Sequence, residues 1–500
     1  MEAIWTLGSP PSGQFSPLSG QTRSDVVIIG AGITGLTTAL SLAESGMHVT
    51  VLEAHTVGAG CTGGSTGNLY STLAKGLAPV RKKWSDEVLR DVVASRSQAI
   101  DSIEATVSRF GIDCGFHRRP LYRLVAQGKE SMRDALEEER QAMLAAGLTV
   151  QEAESNALPV PIITGVKLEN QAQFNPLAYV RGLARELVHL GVTIHEHSAV
   201  RDVDYKRGVV ETEAGAVEAE HIVHATHTPK GINLLQSVML PSREYGVSAR
   251  LKPDSAYPQG TFWVLDDFHS LRSYHHDGDD YLMVIGEKHK VGEGEVDDVY
   301  PRRLRDYLSD NFDVQDFTHA WSAQQYSPAD ELPYIGRWHG RDKVYLATGF
   351  AADGLVWGAL AGAILGDLIL GRDNRWHERF DARRFTPVKS AKQWAKENVS
   401  VATHFVPGYL SVSKLESLDD VAPGQGKVAT LEGEKVAIYR DDDGKVSVLS
   451  AVCPHMKCLV HWNDIESTWD CSCHGSRFDT QGEVIEGPSY HPLARRTKDS

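Results

Sequence analysis

The sequence predicts an α/β nucleotide-binding part followed by a small all-β module that carries a Cys/His pattern. Three observations predict it. Asp25-Val-Val-Ile-Ile-Gly30 runs into Gly30-Ala-Gly32-Ile-Thr-Gly35, a buried strand turned into a helix by glycines. Amphipathic helical stretches then alternate with strand-like runs as far as Leu370. Beyond that come short strands, Lys427-Val-Ala-Thr-Leu431, Lys435-Val-Ala-Ile-Tyr439 and Lys445-Val-Ser-Val-Leu449, and then Cys453-Pro-His455 and Cys471-Ser-Cys473-His474.

The chain has 500 residues, 41% hydrophobic and 23% charged, enough for two or more domains with their own cores. A net charge of −15 argues against nucleic acid as a partner and suits docking to a basic redox partner. The segment 1–20 is polar and has neither the basic start nor the apolar core of a signal peptide. The longest apolar run, 355–370, is short for a membrane span and carries Asp367. These features predict a cytoplasmic protein with no membrane span. Of six Cys, four lie in the C-terminal pattern, leaving Cys61 and Cys114, so no disulfide framework is expected.

In chain order, the helix after Gly35 runs through Thr37 and stops near Gly46, and Met47-His-Val-Thr-Val-Leu52 is the next strand, ended by Glu53. The glycines let backbone approach a pyrophosphate, the helix N-terminus faces its charge, and Glu53 is placed to accept from a ribose diol. Gly58-Ala-Gly60-Cys61-Thr62-Gly63-Gly64-Ser-Thr66-Gly67-Asn68 is a long loop where a plain NAD domain would enter another helix. With this loop the chain resembles the D-amino-acid oxidase superfamily of FAD proteins, which includes the glycine and sarcosine oxidases. The resemblance implies FAD, held by Gly30, Gly32, Gly35 and Glu53, with Gly60, Thr62 and Asn68 along the flavin. Cys61 and Thr62 stand where several members have Ser and Arg.

Helices are predicted over 87–110 and 130–146, each closed by a glycine, and a third opens at Phe174-Asn-Pro176. Gly191 to Val200 reads as a strand, and the resemblance implies that Val200 touches adenine through its backbone. Ile222-Val-His224-Ala225-Thr226-His227 resembles the next nucleotide-side strand end, with Ala225 at the cofactor and the histidines as strand residues, not metal ligands. Residues 240–325 read as strands and turns, which the superfamily uses as a substrate sheet over the flavin. There Arg272, Tyr274 and His275 are the candidates to meet substrate, with sheet filler as the plain alternative. Lys288 and Lys290 are read as solvated. Trp263, Phe268, Tyr274 and Trp357 would form either an aromatic cage or core.

Pro333-Tyr-Ile-Gly336, then Val344-Tyr-Leu-Ala-Thr348-Gly349, then a helix begun at Gly354 resemble the superfamily's closing motif, with Gly349, Gly354 and Leu355 at the flavin. The helix would aim its positive end at the ring that gains negative charge on reduction. Asp353 departs from the small or basic residue found there, and is expected to face substrate or solvent.

Each C-terminal loop contributes one Cys and one His, unlike the Cys-Cys-His-His order of a zinc finger. Two thiolates and two imidazoles are the ligand set of a Rieske 2Fe–2S cluster. His474-Gly-Ser476-Arg-Phe478-Asp and Gly487-Pro488 strengthen the resemblance to Rieske proteins. It implies Cys453 and Cys471 on the inner iron, His455 and His474 on the outer one, and a Cys458–Cys473 disulfide bracing the loops as in respiratory and photosynthetic Rieske proteins. Such a bond is unusual in a reducing cytoplasm. Ser476 matches the hydroxyl that raises the cluster potential. Phe478 stands where high-potential members have Tyr.

The whole chain resembles FAD-dependent oxidoreductases with a fused Rieske domain. The expected division is an N-terminal extension 1–23, an oxidoreductase 24–375, a linker 376–405 and a Rieske domain 406–500. Within 24–375 the FAD part spans about 24–75, 150–235 and 328–375, and the interleaved α+β substrate part about 76–149 and 236–327. The function this implies is oxidation of an amine or amino acid, with single electrons passed from FAD to the cluster and on to a protein partner. Three alternatives stand beside it. The first is a reductase or monooxygenase whose cluster is filled by an external donor protein. The second is a Rieske oxygenase, for which no mononuclear iron site is found. The third is a redox sensor without substrate. A redox titration should put the cluster midpoint between about −150 and +300 mV and below that of respiratory Rieske proteins, because Phe478 lacks the Tyr hydroxyl.

Overall fold

The structure, a computed structural model, describes residues 1–9, 15–265, 269–293, 298–384, 386–387, 389–390 and 417–496. Phe268 and the expected end of the linker lie outside the described residues.

Two sheets interleave through the first part of the chain. The nucleotide sheet is eight-stranded. Its centre is the strand Gly20–Ile29, paired in parallel with Val49–Leu52 on one side and Gly215–His224 on the other. Thr193–His195 and Val344–Thr348 extend it in parallel. All four residues of Val49–Leu52 are buried, the continuous apolar pattern of a strand covered on both faces. The second sheet has nine strands, running from Val314–Pro328 through Met239–Leu251, Asp279–Lys290, His269–His276 and Thr261–Val264 to His117–Ala126 and Ile162–Gln173.

The helices Ile33–Ala43 and Gly354–Leu370 pack together over the nucleotide sheet. Gly358, Gly362 and Gly366 make this close approach possible, since they recur every four residues on one face. A Cβ on Gly358 would lie 2.7 Å from Ile33 Cγ2, and one on Gly362 2.5 Å from Thr37 Cβ. The stretch Ala351–Leu370 is long and apolar enough to cross a membrane, but 72% of it is buried inside the protein, as suits a core helix. The predicted helices occur as Asp86–Phe110, Arg133–Ala145 and Pro176–His189. Gly111 closes the first at φ 61°, and the Asn175 side chain caps the third through Leu177 and Ala178 N–H.

Four readings change. The segment 191–200 is two elements, Thr193–His195 and a strand from Val200, separated by His197 at φ 50°. A helix, Val299–Asn311, lies within the stretch read as strands and turns; Tyr300, Leu304 and Leu308 are its buried face. The segment after Gly371 is tied down as far as it is described: Trp376 and Phe380 are buried, and Arg384 Nε meets Asp330 Oδ2 at 2.9 Å. The N-terminal extension belongs to the core. Ile4 and Trp5 are fully buried, and Trp5 Nε1 donates to Ser65 O at 2.7 Å, holding the long glycine loop.

The C-terminal part holds a three-stranded sheet, Gly426–Leu431, Glu434–Arg440 and Val446–Ser450, and a four-stranded one, Val460–Asn463, Thr468–Cys471, Arg477–Phe478 and Val484–Glu486. The Trp5 anchor yields a measurable cost. Trp5→Ala should destabilise the protein by about 3–5 kcal/mol, the range for a large aromatic lost from a core. Urea unfolding checks this; a change below about 1 kcal/mol would mean that the segment is not part of the folded unit.

Candidate active site and cluster interface

A cavity of about 640 Å³ runs along the C-terminal ends of the nucleotide strands. Gly30, Gly32, Glu53, Gly60, Thr62, Val200, Ala225, Gly354 and Leu355 line it. The glycine turn is tight for a reason: Gly30 has φ 107°, and a Cβ there would lie 2.5 Å from Ala225 O. Glu53 stands at the rim, its carboxylate oxygens taking Ala31 N–H at 2.8 Å and His55 N–H at 2.9 Å. Thr62 Oγ1 accepts from Ile33 N at 3.2 Å and ties the long loop over the start of the helix. This set fits a dinucleotide, with bare backbone where phosphates would lie and an acid where a ribose would lie. Gly35, Asn68 and Gly349 do not line the cavity. Gly35 seats the helix on the Gly30 carbonyl, and Asn68 bonds Ser270 and Thr261 of the second sheet.

In the C-terminal part the two Cys/His loops meet. The Cys453 and Cys471 thiols hydrogen-bond each other, and the His455 and His474 rings lie 5.0 Å apart, edge to face. His474 Nδ1 is buried and makes no hydrogen bond. Burial pushes the pKa of both imidazoles down to about 4, so both are neutral, as metal ligands must be. Ser476 is fully buried with its hydroxyl on Cys453, and Cys458 is joined to Cys473. The donors fit a 2Fe–2S cluster held by two thiolates and two imidazoles.

The two sites share a wall. Gly475 has φ 80°, and a Cβ there would lie 2.8 Å from Gln324, Pro241 and Tyr326 of the first part. Gln324 Nε2 donates to Gly475 O at 2.8 Å, and Tyr326 OH to Gly487 O at 3.2 Å. Gln324 and Tyr326 line the nucleotide cavity, and so do Glu483 to Gly487 and Tyr490 from the C-terminal part. Arg243 Nη2 bonds Glu466 Oε1 at 2.7 Å and its Nη1 lies 3.5 Å from Glu486 Oε2, while Arg477 meets the same two acids at 3.1 and 3.7 Å.

Residues 25–368 match the family described as FAD dependent oxidoreductase, and residues 411–496 match the Rieske [2Fe-2S] domain. The chain belongs to the FAD dependent oxidoreductase family. Along nearly its whole length, 98% of this chain and 97% of the relative, it is 30% identical to YhfW of Bacillus subtilis, described as a Rieske 2Fe-2S iron-sulfur protein. It is 24% identical to the gamma-glutamylputrescine oxidoreductase of Escherichia coli over 74% of this chain and 88% of that one. The glycine oxidase structure from Geobacillus kaustophilus superposes with a TM-score of 0.62 at 19% identity, over 73% of this chain and all of that one. The protein is therefore an FAD-dependent oxidoreductase with a Rieske 2Fe–2S domain fused to it.

In this flavoprotein the residues expected at the substrate lie elsewhere. Arg272 is buried beneath the glycine loop, donating to Gly67 O at 2.8 Å and stacked on Trp5 at 5.2 Å. Tyr274 OH takes a hydrogen bond from Asn175 Nδ2 at 3.0 Å, and His275 is on the surface beside Asp280. None of the three lines the cavity among the described residues. Trp263, Tyr274 and Trp357 are core, not a cage. Asp353 faces neither substrate nor solvent: it is buried, meets Arg96 Nη2 at 3.0 Å and accepts from Ala74 N. Arg96 thus offsets its charge beside the flavin site.

Glu244 and Gln325 line the cavity instead, with Tyr245, Trp321 and Phe350 as its apolar side. Opposite Glu244 the strand Asp279–Lys290 bulges: Arg243 pairs with His289 and Tyr245 with Gly286, which leaves Glu287, at φ 57°, and Lys288 against one residue. Lys288, exposed, donates to Gln325 Oε1 at 3.1 Å. No motif marks Glu244 or Gln325, and only the packing of distant elements brings them to the cavity, so sequence reasoning missed these. Cys61, His227 and Glu486 also converge, with Cys61 Sγ 3.3 Å from His227 Nδ1 and 3.4 Å from Glu486. Burial pushes the thiol pKa up and the imidazole pKa down, keeping both neutral.

His224 extends the interface, its Nε2 3.2 Å from Tyr205 OH, which lies 3.4 Å from Tyr490 OH. Burial lowers its pKa from 6.5 to about 3. Below pH 6.5 the unfolded chain therefore binds a proton that the folded one refuses, and stability falls as pH drops from 6.5 towards 3. Between pH 7 and pH 5 this one group should remove about 2 kcal/mol. In urea titrations, His224→Gln should lose about that much less over the same interval; an identical pH slope in both proteins would show that His224 is not held neutral.

Proposed function

We propose that this chain oxidises an amine or amino acid at FAD, passes the electrons one at a time to its own Rieske cluster, and hands them to a protein acceptor in the cytoplasm. The shared wall carries this reading. Gln324 and Tyr326 border the FAD cavity and hydrogen-bond the carbonyls of the cluster loops, and Tyr326 OH lies 3.4 Å from the carbonyl of the iron ligand His474. Bound FAD supplies the exchange between a two-electron hydride and single electrons, and a one-electron cluster is suited to receive the latter.

The chain's own residues do the positioning. Tyr245, Trp321 and Phe350 give the cavity an apolar side that excludes water from a C–H beside nitrogen. Glu244 and Gln325 offer an acid and an amide to orient a polar substrate, and Lys288 fixes the Gln325 amide. Relatives named for oxidising glycine and gamma-glutamylputrescine support an amine or amino acid over other substrates. The reverse flow, from an external donor through the cluster to FAD, has no observation of its own in its favour.

Anaerobic rapid mixing with a panel of amines and amino acids tests the proposal. Flavin bleaching should precede the rise of the reduced-cluster electron paramagnetic resonance signal. Tyr326→Phe should slow the second phase several-fold and leave the first unchanged. If no amine bleaches the flavin while a reduced ferredoxin fills the cluster and then the flavin, the reductase reading replaces this one.

A further inference from the structure

The part of the second sheet that walls the cavity has two faces. Glu244 pairs with Ala323, Gly246 with both Trp321 and Ile285, and Ser242 with Gln325. Residues opposite one another, and residues two apart along a strand, point to the same side of a sheet. Glu244, Ile285, Trp321, Ala323 and Gln325 therefore share one face, and all five line the cavity. Gln324 and Tyr326, which bond the cluster loops, belong to the other face. Trp321 fixes the first face against the glycine loop, its Nε1 donating to Gly64 O at 3.0 Å.

Charge on this face has one sign. Glu244 is half-buried, and its carboxylate has no salt bridge or side-chain hydrogen bond among the described residues. The Lys and Arg side chains that line the cavity among those residues are Arg201 and Lys230, and both serve the nucleotide end. Arg201 follows Val200 and meets Glu483 at 3.2 Å, and Lys230 lies over the Tyr490 ring at 5.6 Å. Lys288 acts on Glu244 through its charge, but it lies outside the lining and gives Nζ to Gln325 Oε1 at 3.1 Å. A carboxylate entering here would meet a like charge, with no guanidinium or ammonium on the wall to receive it. An ammonium would find in Glu244 a charge-assisted acceptor.

Resting on the reading that an amine is oxidised at FAD, we propose that the substrate is an aliphatic diamine, and that Glu244 selects it by pairing with the ammonium that does not react. The reacting nitrogen must be neutral, because its lone pair forms the C=N bond as the adjacent C–H bond breaks. The hydride goes to oxidised FAD, and water then splits the imine into an aldehyde and ammonia. The group left charged for Glu244 is thus a second nitrogen, and Ile285, Trp321 and Phe350 give the carbons between the two an apolar wall. α-Amino acids are disfavoured on the same ground. Their carboxylate is attached to the reacting carbon, where this face offers an acid and an amide.

Putrescine, cadaverine, butylamine, γ-aminobutyrate and ornithine are the probes. Butylamine lacks the second ammonium, γ-aminobutyrate puts a carboxylate in its place, and ornithine adds an α-carboxylate to putrescine. Calorimetry on the oxidised holoprotein reads the contact without turnover, and anaerobic rapid mixing reads flavin bleaching. The better diamine should bind about tenfold more tightly than butylamine, and about a hundredfold more tightly than γ-aminobutyrate or ornithine. Bleaching at low probe concentration should follow the same order. Glu244→Gln should bring the ratio of diamine to butylamine affinity to about one, and Glu244→Lys should make γ-aminobutyrate bind more tightly than the diamine. FAD content and the visible spectrum of both variants check that the cavity is intact. A diamine that binds no more tightly than butylamine, or a ratio that Glu244→Gln leaves in place, overturns the inference whatever the bleaching rates. Tight diamine binding with no bleaching by any probe would sink the oxidation reading and leave the Glu244 contact standing.

Discussion

The structure depends on one contact, the seating of the cluster loop against the wall of the flavin cavity. Gly475 stands between His474 and Ser476, and there is no room for a side chain on it. Its neighbours, Gln324 and Tyr326, belong to the strand that borders the cavity. A loop that close has no slack, because packed interiors transmit displacement and do not absorb it. The cavity and the cluster site are therefore built as one object, not as two domains on a tether.

Charge holds that contact in register. Arg243 from the flavin domain and Arg477 from the Rieske domain share Glu466 and Glu486, all largely buried. Such a network is costly to desolvate and adds little net stability against an apolar alternative. Its value is in specificity, since removing one partner strands buried charge at a cost of about 3–5 kcal/mol, which penalises any other docking pose. The same economy appears beside the flavin. Asp353 would oppose charge gained on reduction, but Arg96 and the Ala74 amide bind its carboxylate and offset its charge.

Motifs local in sequence were legible. Gly30 to Gly35 with Glu53, the glycine loop and the Cys/His pattern of the Rieske domain could be recognised because each is a short run whose backbone or donor chemistry demands those residues. The N-terminal anchor was not legible: Trp5 is one aromatic residue in a polar segment, and only its burial under the glycine loop gives it meaning. The substrate end was read wrongly in position. Arg272 and Tyr274 have the right chemistry for a carboxylate, but Arg272 is spent on the carbonyl of Gly67 and Tyr274 on Asn175. Glu244 and Gln325 line the cavity only because strands far apart in the chain are brought together around it, which no local pattern records.

The sequence alone determined the family and both cofactors, because these follow from spacings within single loops. The tertiary structure alone decided which cluster loop meets the flavin domain, that the Rieske module closes the cavity through Glu483 to Gly487 and Tyr490, and which polar groups line that cavity. The physical reason is separation along the chain. Gln324 and Gly475 stand 151 residues apart, and Cys61 and Glu486 425 apart. No periodicity or motif spans such distances, and only close packing of the folded chain selects which of the possible pairs are made.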